Sequence, residues 1–246
     1  MQTSRNWQTP TSQSNLTLPD NDVHVWRANL NIPLPDVQSL QHTLSPDERA
    51  RAYRFRFERH RNHFIVARGT LRTLLALYLN ISPTQLHFRY NAYGKPSLES
   101  PHTPLHFNIS HSHELALLAF SQHRELGVDV EYMDRNIDYN ELAQHTFSPY
   151  EAAIVTALSD DAKRQAFFNC WTRKEAYIKA RGMGVSLDLT SFDVSLKPGD
   201  AATLLHNRED AMEVTRWQFE ALHVGDGYAG AIAVEGHNWQ LCTWQW

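Results

Sequence analysis

The sequence is poor in the features that mark disulfide-rich and membrane proteins. It has only two cysteines, Cys170 and Cys242, and they lack the spacing of a metal-binding pair, so we expect no disulfide framework. Cys170 is predicted to be a buried small hydrophobic residue. No apolar run approaches the ~20 residues of a membrane-spanning helix. The polar first 21 residues lack the apolar core of a signal peptide. These absences predict a cytoplasmic protein in a reducing compartment.

Glycine-rich phosphate loops and a large net charge are also missing. The chain contains no Gly-x-x-x-x-Gly-Lys-Ser/Thr motif and no glycine-rich turn after a strand, which disfavours a P-loop or Rossmann nucleotide site. The formal charge of −4 argues against a protein that binds nucleic acid along its whole length. Apart from His111, the histidines show no ligand spacing and are interpreted as structural.

The order of predicted elements repeats along the chain. A strand, a long helix and a hairpin are followed by another strand, another long helix and late strands, and the two long helices are predicted over Arg61–Leu79 and Phe167–Ala180. This order predicts an α+β fold of two similar halves, packed with pseudo-two-fold symmetry and built on antiparallel-type sheets. We expect a flexible tail over 1–20, an N-terminal subdomain over 21–122 and a C-terminal subdomain over 123–246.

Three acidic residues are the most informative part of the sequence. Asp129 and Glu131 are two apart in a predicted strand and therefore share one face. Like charges at this spacing repel unless a cation lies between them, and Mg²⁺ accepts such carboxylates. Glu175 lies on the second long helix, whose apolar face must pack on the sheet. The alternatives are a solvated strand face and a Glu175–Lys179 pair at i,i+4.

Basic residues suggest that the partner of this acidic group carries phosphate. Lys95 lies in a rigid turn between Gly94 and Pro96, and His111 ends an apolar strand. Arginine suits bidentate phosphate contacts, and seven arginines crowd the region of the first long helix: Arg51, Arg54, Arg56, Arg59, Arg61, Arg68 and Arg72. The alternatives are a solvated helix face for the arginines and an ordinary turn residue for His111.

Taken in order, these pieces resemble the 4′-phosphopantetheinyl transferase family, in its larger Sfp type. The resemblance rests on four segments in this order: Tyr93-Gly94-Lys95-Pro96, Phe107-Asn108-Ile109-Ser110-His111-Ser112, Gly127-Val128-Asp129-Val130-Glu131, and Trp171-x-x-Lys174-Glu175-Ala176-x-x-Lys179. It implies that the protein transfers the 4′-phosphopantetheine arm of coenzyme A to a serine of an apo carrier protein, releasing 3′,5′-ADP. Acyl carrier protein and the carrier domains of polyketide or nonribosomal-peptide synthases are the implied partners, and a monomer is implied.

The resemblance also assigns roles to single residues. It implies that Asp129, Glu131 and Glu175 hold Mg²⁺ or Mn²⁺, and that Glu175 is the base, directly or through water. Lys179 matches a diphosphate contact, and Lys95 and His111 match contacts to the phosphates of coenzyme A. Five neighbours are added to that site, namely Pro96, Ser110, Arg51, Arg61 and Arg68, and the segment 133–147 is placed near the carrier protein. Two alternatives stay open, a metal-dependent nuclease or phosphodiesterase and a non-catalytic binder of coenzyme A or carrier protein.

Overall fold

A computed structural model describes residues 7–10, 16–134 and 136–246 of the chain. Its helices are α1 (Leu34–Gln41), α2 (Pro46–Ala52), α3 (Glu58–Leu79), α4 (Tyr139–Thr146), α5 (Pro149–Ala157), α6 (Asp160–Arg181) and α7 (Glu213–Arg216). Its strands are β1 (Asp22–Asn29), β2 (His87–Tyr90), β3 (Pro96–Ser100), β4 (Leu105–Ser112), β5 (Leu115–Gln122), β6 (Leu126–Tyr132), β7 (Phe192–Val194), β8 (Leu204–Asn207), β9 (Trp217–Ala221), β10 (Tyr228–Glu235) and β11 (Gln240–Gln245).

Two halves of similar construction make up the molecule, as predicted. The first contains a sheet of order β11-β1-β5-β4 with helix α3, and the second a sheet of order β6-β10-β9 with helix α6. Each of these helices is 22 residues long and ends at a residue with left-handed backbone, Asn80 or Gly182. Apart from the parallel β1–β11 pair, the strand pairs of both sheets are antiparallel. The predicted α+β class is confirmed.

The starts of α2 and α5 carry clear local sequence signals, whereas α3 and α6 begin at Glu58 and Asp160, three and seven residues before their predicted starts. Ser45 and Ser148 each begin a capping box, with Pro46 and Pro149 in the first helical turn. Several short elements were missed: α1, α4, β3, β8 and α7. Helix α1 forms despite the prolines at its start, because proline is tolerated in a first turn and Val37 anchors the helix in the core.

The interior of the protein contains three hydrophobic clusters, one in each half and one between the two sheets. One lies beneath α3 and contains Trp26 and Leu71, and another lies beneath α6 and contains Phe167 and Tyr177. The third lies between the two sheets and draws residues from both halves: Val23, Val25, Leu117, Ala119, Leu126, Val128, Val130, Ile232, Val234 and Leu241 among others. Since this third cluster belongs to neither half alone, the halves share one interior.

The ends of the chain differ from the predicted subdomain boundaries. Strand β11 was placed in the C-terminal subdomain but pairs with β1 in the first sheet. The described part of the predicted tail is also anchored, because Trp7 Nε1 donates to the carbonyl of His223 at 2.7 Å and Gln8 N donates to that of Thr243 at 2.9 Å. Residues 1–6 and 11–15 lie outside the described residues. None of the described helices has the length and apolarity to cross a bilayer.

A glycine sets the distance between β6 and α6. A Cβ atom on Gly127 would lie 2.2 Å from the carbonyl oxygen of Ala176 and 2.3 Å from the amide nitrogen of Ala180, both in α6. Only glycine therefore allows the helix to lie directly on this strand. The residues that follow Gly127 in β6 are thereby brought under the same helix.

Candidate active site

Strand β6 presents its two acidic residues to one side, as the alternation predicted. Val128 and Val130 are fully buried in the cluster between the sheets, so Asp129 and Glu131 project from the opposite face. Asp129 is 2% exposed, whereas Glu131 is half-buried. The prediction of a shared face is confirmed for this pair.

Helix α6 brings a lysine and a glutamate onto that acidic face. Lys179 Nζ donates to Asp129 Oδ1 at 2.5 Å and to Ser110 Oγ at 2.8 Å. Glu175 is half-buried one turn earlier on the same side of the helix. The ion pair of Lys179 therefore joins helix α6 to Asp129 of strand β6. The alternative was a pair between Lys179 and Glu175 along the helix.

One oxygen of Asp129 has no partner in the described part of the protein. Ser110 Oγ donates to Oδ1 at 2.8 Å, but the buried Oδ2 has no hydrogen-bond partner there. Burial raises the pKa of Asp129, although Lys179 and Ser110 oppose this shift. An unpaired buried carboxylate oxygen is costly, so this atom is suited to a ligand that supplies positive charge.

The other two carboxylates experience the same accumulation of negative charge. Burial raises the pKa of Glu131, and the charges of Asp129 and Glu175 raise it further. Burial and then Asp129 raise the pKa of Glu175, while Lys179 lowers it. The carboxylate oxygens of Asp129, Glu131 and Glu175 do not all lie within 4.8 Å of one another. Among the described residues, a different group of three possible metal ligands does meet that distance. Like charges held this close repel one another unless a cation lies between them.

Polar side chains of β4 connect the two halves at this point. Asn108 Oδ1 accepts from Val128 N, and Ser112 Oγ accepts from Tyr132 N, each at 3.0 Å. Ser112 Oγ also donates to Glu131 Oε2 at 2.7 Å. The sequence analysis singled out Ser110 but gave no role to Asn108 or Ser112. Their i, i+2, i+4 spacing was the signal, because alternate residues of a strand share a face.

Two clefts meet beside these residues. The larger has a volume of about 680 Å³ and is lined by Glu175, Lys179 and Asn108, with the turn at Gly94 on its rim. The smaller, of about 430 Å³, is lined by Arg51, Arg54, Arg68 and His111. Gly94, Pro96 and Ile109 line both clefts, so the predicted residue Pro96 lies at their junction. Volumes of this size are typical of ligand sites.

His111 lies at the end of β4, in the smaller cleft. The pKa of His111 is below its ordinary value of 6.5. The surrounding protein removes water from the ring, which disfavours its charged form, and the positive charge of Lys179 lowers the pKa further. An anion in this cleft would reverse that balance and favour the imidazolium form.

Lys95 makes contacts that the sequence did not predict. Its Nζ atom donates to Glu125 Oε2 at 2.6 Å and to the carbonyl oxygen of Ala180 at 2.8 Å. Asn91 Nδ2 donates to the carbonyl oxygen of Gly182 at 2.7 Å. The turn therefore covers the C-terminal end of α6 with a cation and an amide, as helix carbonyls favour. The phosphate contact of Lys95 stays a prediction, and it would compete with these bonds.

Comparison with known proteins identifies the family. The model of the 4′-phosphopantetheinyl transferase superfamily matches residues 125–233, and that of the 4′-phosphopantetheinyl transferase N-terminal region matches residues 31–123. The chain is 39% identical to the 4′-phosphopantetheinyl transferase HetI of Nostoc sp. strain PCC 7120, over 94% of this chain and 95% of that protein. The chain belongs to the 4′-phosphopantetheinyl transferase family.

Other relatives agree with this assignment. A 4′-phosphopantetheinyl transferase of Bacillus subtilis is 33% identical over 63% of this chain and 67% of its own length, and Sfp of B. subtilis strain 168 is 31% identical over 62% and 66%. The predicted enzyme class and the transfer of phosphopantetheine to carrier proteins are confirmed, with coenzyme A as the family's substrate. The nuclease alternative is not supported.

The three arginines predicted for the coenzyme A site differ in their position and in the contacts that they already make within the protein. Arg51 lines the smaller cleft of the transferase and stacks on Phe64. Arg68 also lines it, but its Nε donates to the buried Glu48 at 2.5 Å. Arg61 lines neither cleft and lies 3.7 Å from Glu58. Arg51 is therefore better placed for a phosphate than Arg68, and Arg61 is outside this region.

The lysine that precedes Glu175 in the motif has a structural role in the transferase. Lys174 is fully buried and its Nζ lies 2.8 Å from Glu151 Oε2. The same nitrogen donates to the carbonyls of Leu189 and Phe192 at 2.6 and 2.5 Å. Glu151 in turn accepts from Ser148 N and Val194 N. This network fixes α6 against α5 and β7, and so fixes the direction of Glu175.

Proposed function

We propose that the paired Lys179 and Asp129 form the centre at which this chain moves phosphopantetheine from coenzyme A to a carrier-protein serine. The observation that carries the proposal is the bond of Lys179 Nζ to Asp129 Oδ1 and Ser110 Oγ, beside an Asp129 oxygen that is buried and lacks a partner among the described residues. Lys179 lines the larger cleft, and its ion pair with Asp129 places that carboxyl group directly behind the cleft wall.

Coenzyme A suits the two adjoining clefts because it is long and charged mainly at one end. The smaller cleft offers Arg51, Arg54 and His111 to the phosphorylated nucleotide. The larger cleft offers Lys179 to the diphosphate and has room for the pantetheine arm. Both clefts are built within a single chain, so a monomer is sufficient for the reaction. In this arrangement Pro96 and Ile109 lie where the nucleotide passes from one cleft to the other.

The carboxylates fit a hard divalent cation. Asp129 has a buried oxygen without a partner among the described residues. Burial raises the pKa of all three carboxyl groups, and acidic neighbours raise the pKa of Glu131 and Glu175 further. Asp129, Glu131 and Glu175 would hold Mg²⁺, or Mn²⁺ in its place, once their repulsion is neutralised. When bound, this ion would supply counter-charge to the diphosphate oxygens.

The side chains of the site account for the remaining chemistry. The serine oxygen of the carrier forms a bond to the pantetheine-linked phosphorus, and the bond from that phosphorus to the bridging oxygen of 3′,5′-ADP breaks. Lys179 stabilises the negative charge that develops on these oxygens. Glu175 accepts the serine proton, directly or through water, and its raised pKa makes it a better base than an ordinary glutamate.

The carrier protein is proposed to dock beside helix α4. The predicted segment 133–147 contains this helix, with residue 135 outside the described residues, and His145 and Thr146 line the larger cleft. Leu142 of the same helix is 40% exposed, and Tyr132, which directly precedes the segment, is 43% exposed. Apolar side chains at the rim of a reactive cleft are suited to a protein substrate. The cationic residues of the smaller cleft add attraction for an acidic carrier.

The direct test is a transfer assay with coenzyme A, Mg²⁺ and an apo acyl carrier protein, read by mass spectrometry of the intact carrier. We expect a gain of one phosphopantetheine on the carrier serine and release of 3′,5′-ADP. Asp129→Asn should abolish the gain, whereas Asp161→Asn, which changes a side chain that is 89% exposed, should not. Normal turnover by a folded Asp129→Asn protein would contradict the proposed centre.

A further inference from the structure

A group of three metal-binding side chains lies where β1 meets β11. Asp22 and His24 are two apart on β1, and the parallel register places Cys242 of β11 beside His24. One atom from each side chain comes within 4.8 Å of the other two. The sequence predicted no ligand role for His24 or Cys242, because Cys242 lies 220 residues after Asp22 and only the sheet brings them together.

The spacing of the three atoms is close to that of a metal's ligand shell. Asp22 Oδ2 lies 3.8 Å from Cys242 Sγ and 4.0 Å from His24 Nε2. A tetrahedral ion with bonds of about 2.0–2.3 Å holds neighbouring ligand atoms about 3.3–3.8 Å apart. The two distances from Asp22 Oδ2 would shorten by less than about 1 Å around such an ion.

The imidazole of His24 is held in an orientation suited to coordination. His24 is 5% exposed, and its Nδ1 lies 2.7 Å from the hydroxyl of Tyr78, which also accepts from Trp26 Nε1 at 2.8 Å. Metal-binding histidines are usually oriented by a partner at the second ring nitrogen. When Nδ1 donates to Tyr78, the lone pair of Nε2 faces Asp22.

This group is separate from the proposed catalytic centre. His24 pairs with Phe120 of β5, which pairs with Phe107 near the start of β4. Ser110, which contacts Lys179, lies three residues further along β4. At about 3.3 Å per strand residue the two groups are ~10 Å apart along the sheet. The aromatic rings of Tyr78 and Trp244 enclose His24 at the end away from the clefts.

We propose that Asp22, His24 and Cys242 form a second metal site, which binds a divalent transition ion of the Zn²⁺ class. A mixed oxygen, nitrogen and sulfur set suits this borderline ion, whereas Mg²⁺ prefers oxygen alone. The side chain of Asp22 is 24% exposed, so water can complete a tetrahedral shell. The thiol of Cys242 forms a bond to the ion and gives up its proton to solvent.

The ion would join the last strand to the first. Two of its ligands come from β1 and one from β11, which is the edge strand of the first sheet. Binding to the folded protein alone would stabilise that edge in proportion to the ion concentration. The role assigned here is structural, and it is independent of the transfer reaction.

The first experiment uses Co²⁺ as the probe and absorption spectroscopy as the readout. The metal-free protein should gain a thiolate-to-cobalt charge-transfer band that saturates at one equivalent. The catalytic carboxylates cannot produce this band, because it requires a sulfur ligand. Cys242→Ser should lose the band, whereas Cys170→Ala, which changes the other cysteine, should keep it. Absence of the band in the folded natural sequence, or its persistence in Cys242→Ser, would overturn the proposal.

The second experiment measures Zn²⁺ affinity and thermal stability in a variant that does not touch the cysteine. Asp22→Asn should weaken Co²⁺ and Zn²⁺ binding at least tenfold, and Asp20→Asn, an exposed neighbour, should not. At a hundredfold excess over Kd, Zn²⁺ should raise the Tm of the natural sequence by about 5 °C. Equal Zn²⁺ affinity in both aspartate variants would show that Asp22 is not a ligand and would refute the three-residue site.

Discussion

Single residues in the site show how burial and charge determine chemistry. Asp129 is covered by β4 and α6 and pairs with Lys179, while its second oxygen has no partner among the described residues. Burial raises the pKa of Glu131 and of Glu175, and the charge of Asp129 raises both further. Added positive charge would relieve the repulsion among these three carboxyl groups, so we expect binding of a cation to stabilise the site.

The first prediction concerns Lys179→Met, which keeps the length of the side chain and removes its charge. We expect kcat to fall about 10²–10³-fold, because a cation directed at a developing negative charge contributes that much to many enzymes. The measurement is steady-state transfer to an apo carrier protein. Lys197→Met, at an exposed position, is the matched control and should retain full activity. A Lys179→Met enzyme within threefold of normal would argue against this role.

The second prediction concerns Glu125, whose pKa is lowered from 4.5 to about 2 by hydrogen bonds from His106 and Lys95. The unfolded chain binds this proton more readily, so Glu125 stabilises the fold above about pH 4.5 and ceases to do so as the pH falls towards 2. Because its side chain is 43% exposed, we expect Glu125→Gln to cost only about 1 kcal/mol at pH 7.

Urea unfolding at pH 7 and at pH 3.5 measures this effect. The stability difference between Glu125→Gln and the natural sequence should be largest at pH 7 and smaller at pH 3.5. Glu209→Gln, at an exposed position, controls for the loss of one negative charge. A penalty that stays constant between the two pH values would show that the ionised form of Glu125 does not stabilise the fold.

At the scale of elements, the placement of α6 on β6 organises the site. Gly127 allows the close contact between helix and strand. The buried pair of Lys174 and Glu151 holds α6 against α5, and the turn at Lys95 covers the C-terminal end of α6. The sequence predicted the strand from its alternation and the helix from its apolar spacing, because these are local signals, although it began the helix at Phe167 rather than at Asp160. It could not predict that Lys179 bonds Asp129, or that Lys95 bonds Ala180, because these contacts depend on how distant elements pack.

The third prediction is that Gly127→Ala separates this helix from its strand. The added Cβ would meet backbone atoms at 2.2 and 2.3 Å, which no side-chain movement can relieve. We expect a loss of about 3 kcal/mol in the free energy of unfolding and a marked loss of transfer activity. Chemical denaturation and the transfer assay together measure the two effects.

Gly199→Ala is the matched control for this substitution. Gly199 has a positive φ of 90°, but a Cβ there has nothing within 4 Å, so only backbone strain of about 1–2 kcal/mol is expected. Activity should be retained in this variant. If Gly127→Ala were as active and as stable as Gly199→Ala, the close packing of α6 on β6 would not be needed for the site.

At the scale of the whole molecule, the two halves are one cooperative structure. The cluster between the sheets takes residues from both, and β11 crosses from the second half to pair with β1. The two-half plan could be predicted from the repeated order of elements. The crossing of β11 could not, because an alternating strand does not reveal which sheet it joins.

The fourth prediction is that the halves unfold together. Native-state hydrogen exchange should give the slowest amides of α3 and α6 the same opening free energy, since neither half keeps its interior alone. Leu241→Ala, in the shared cluster, should lower both values by about 2 kcal/mol. Met212→Ala, at a side chain that is 70% exposed, should change neither. Selective lowering for one helix would show that the halves are independent.

The pairing of β1 with β11 has a consequence for how the protein is made in the cell. Arg27 and Gln245 are in contact although 218 residues separate them. During translation, β1 emerges early and its open edge has no neighbour until β11 leaves the ribosome. Exposed edges of this kind attract other strands, so the nascent chain passes through a period in which chaperone protection of its first strand would matter most.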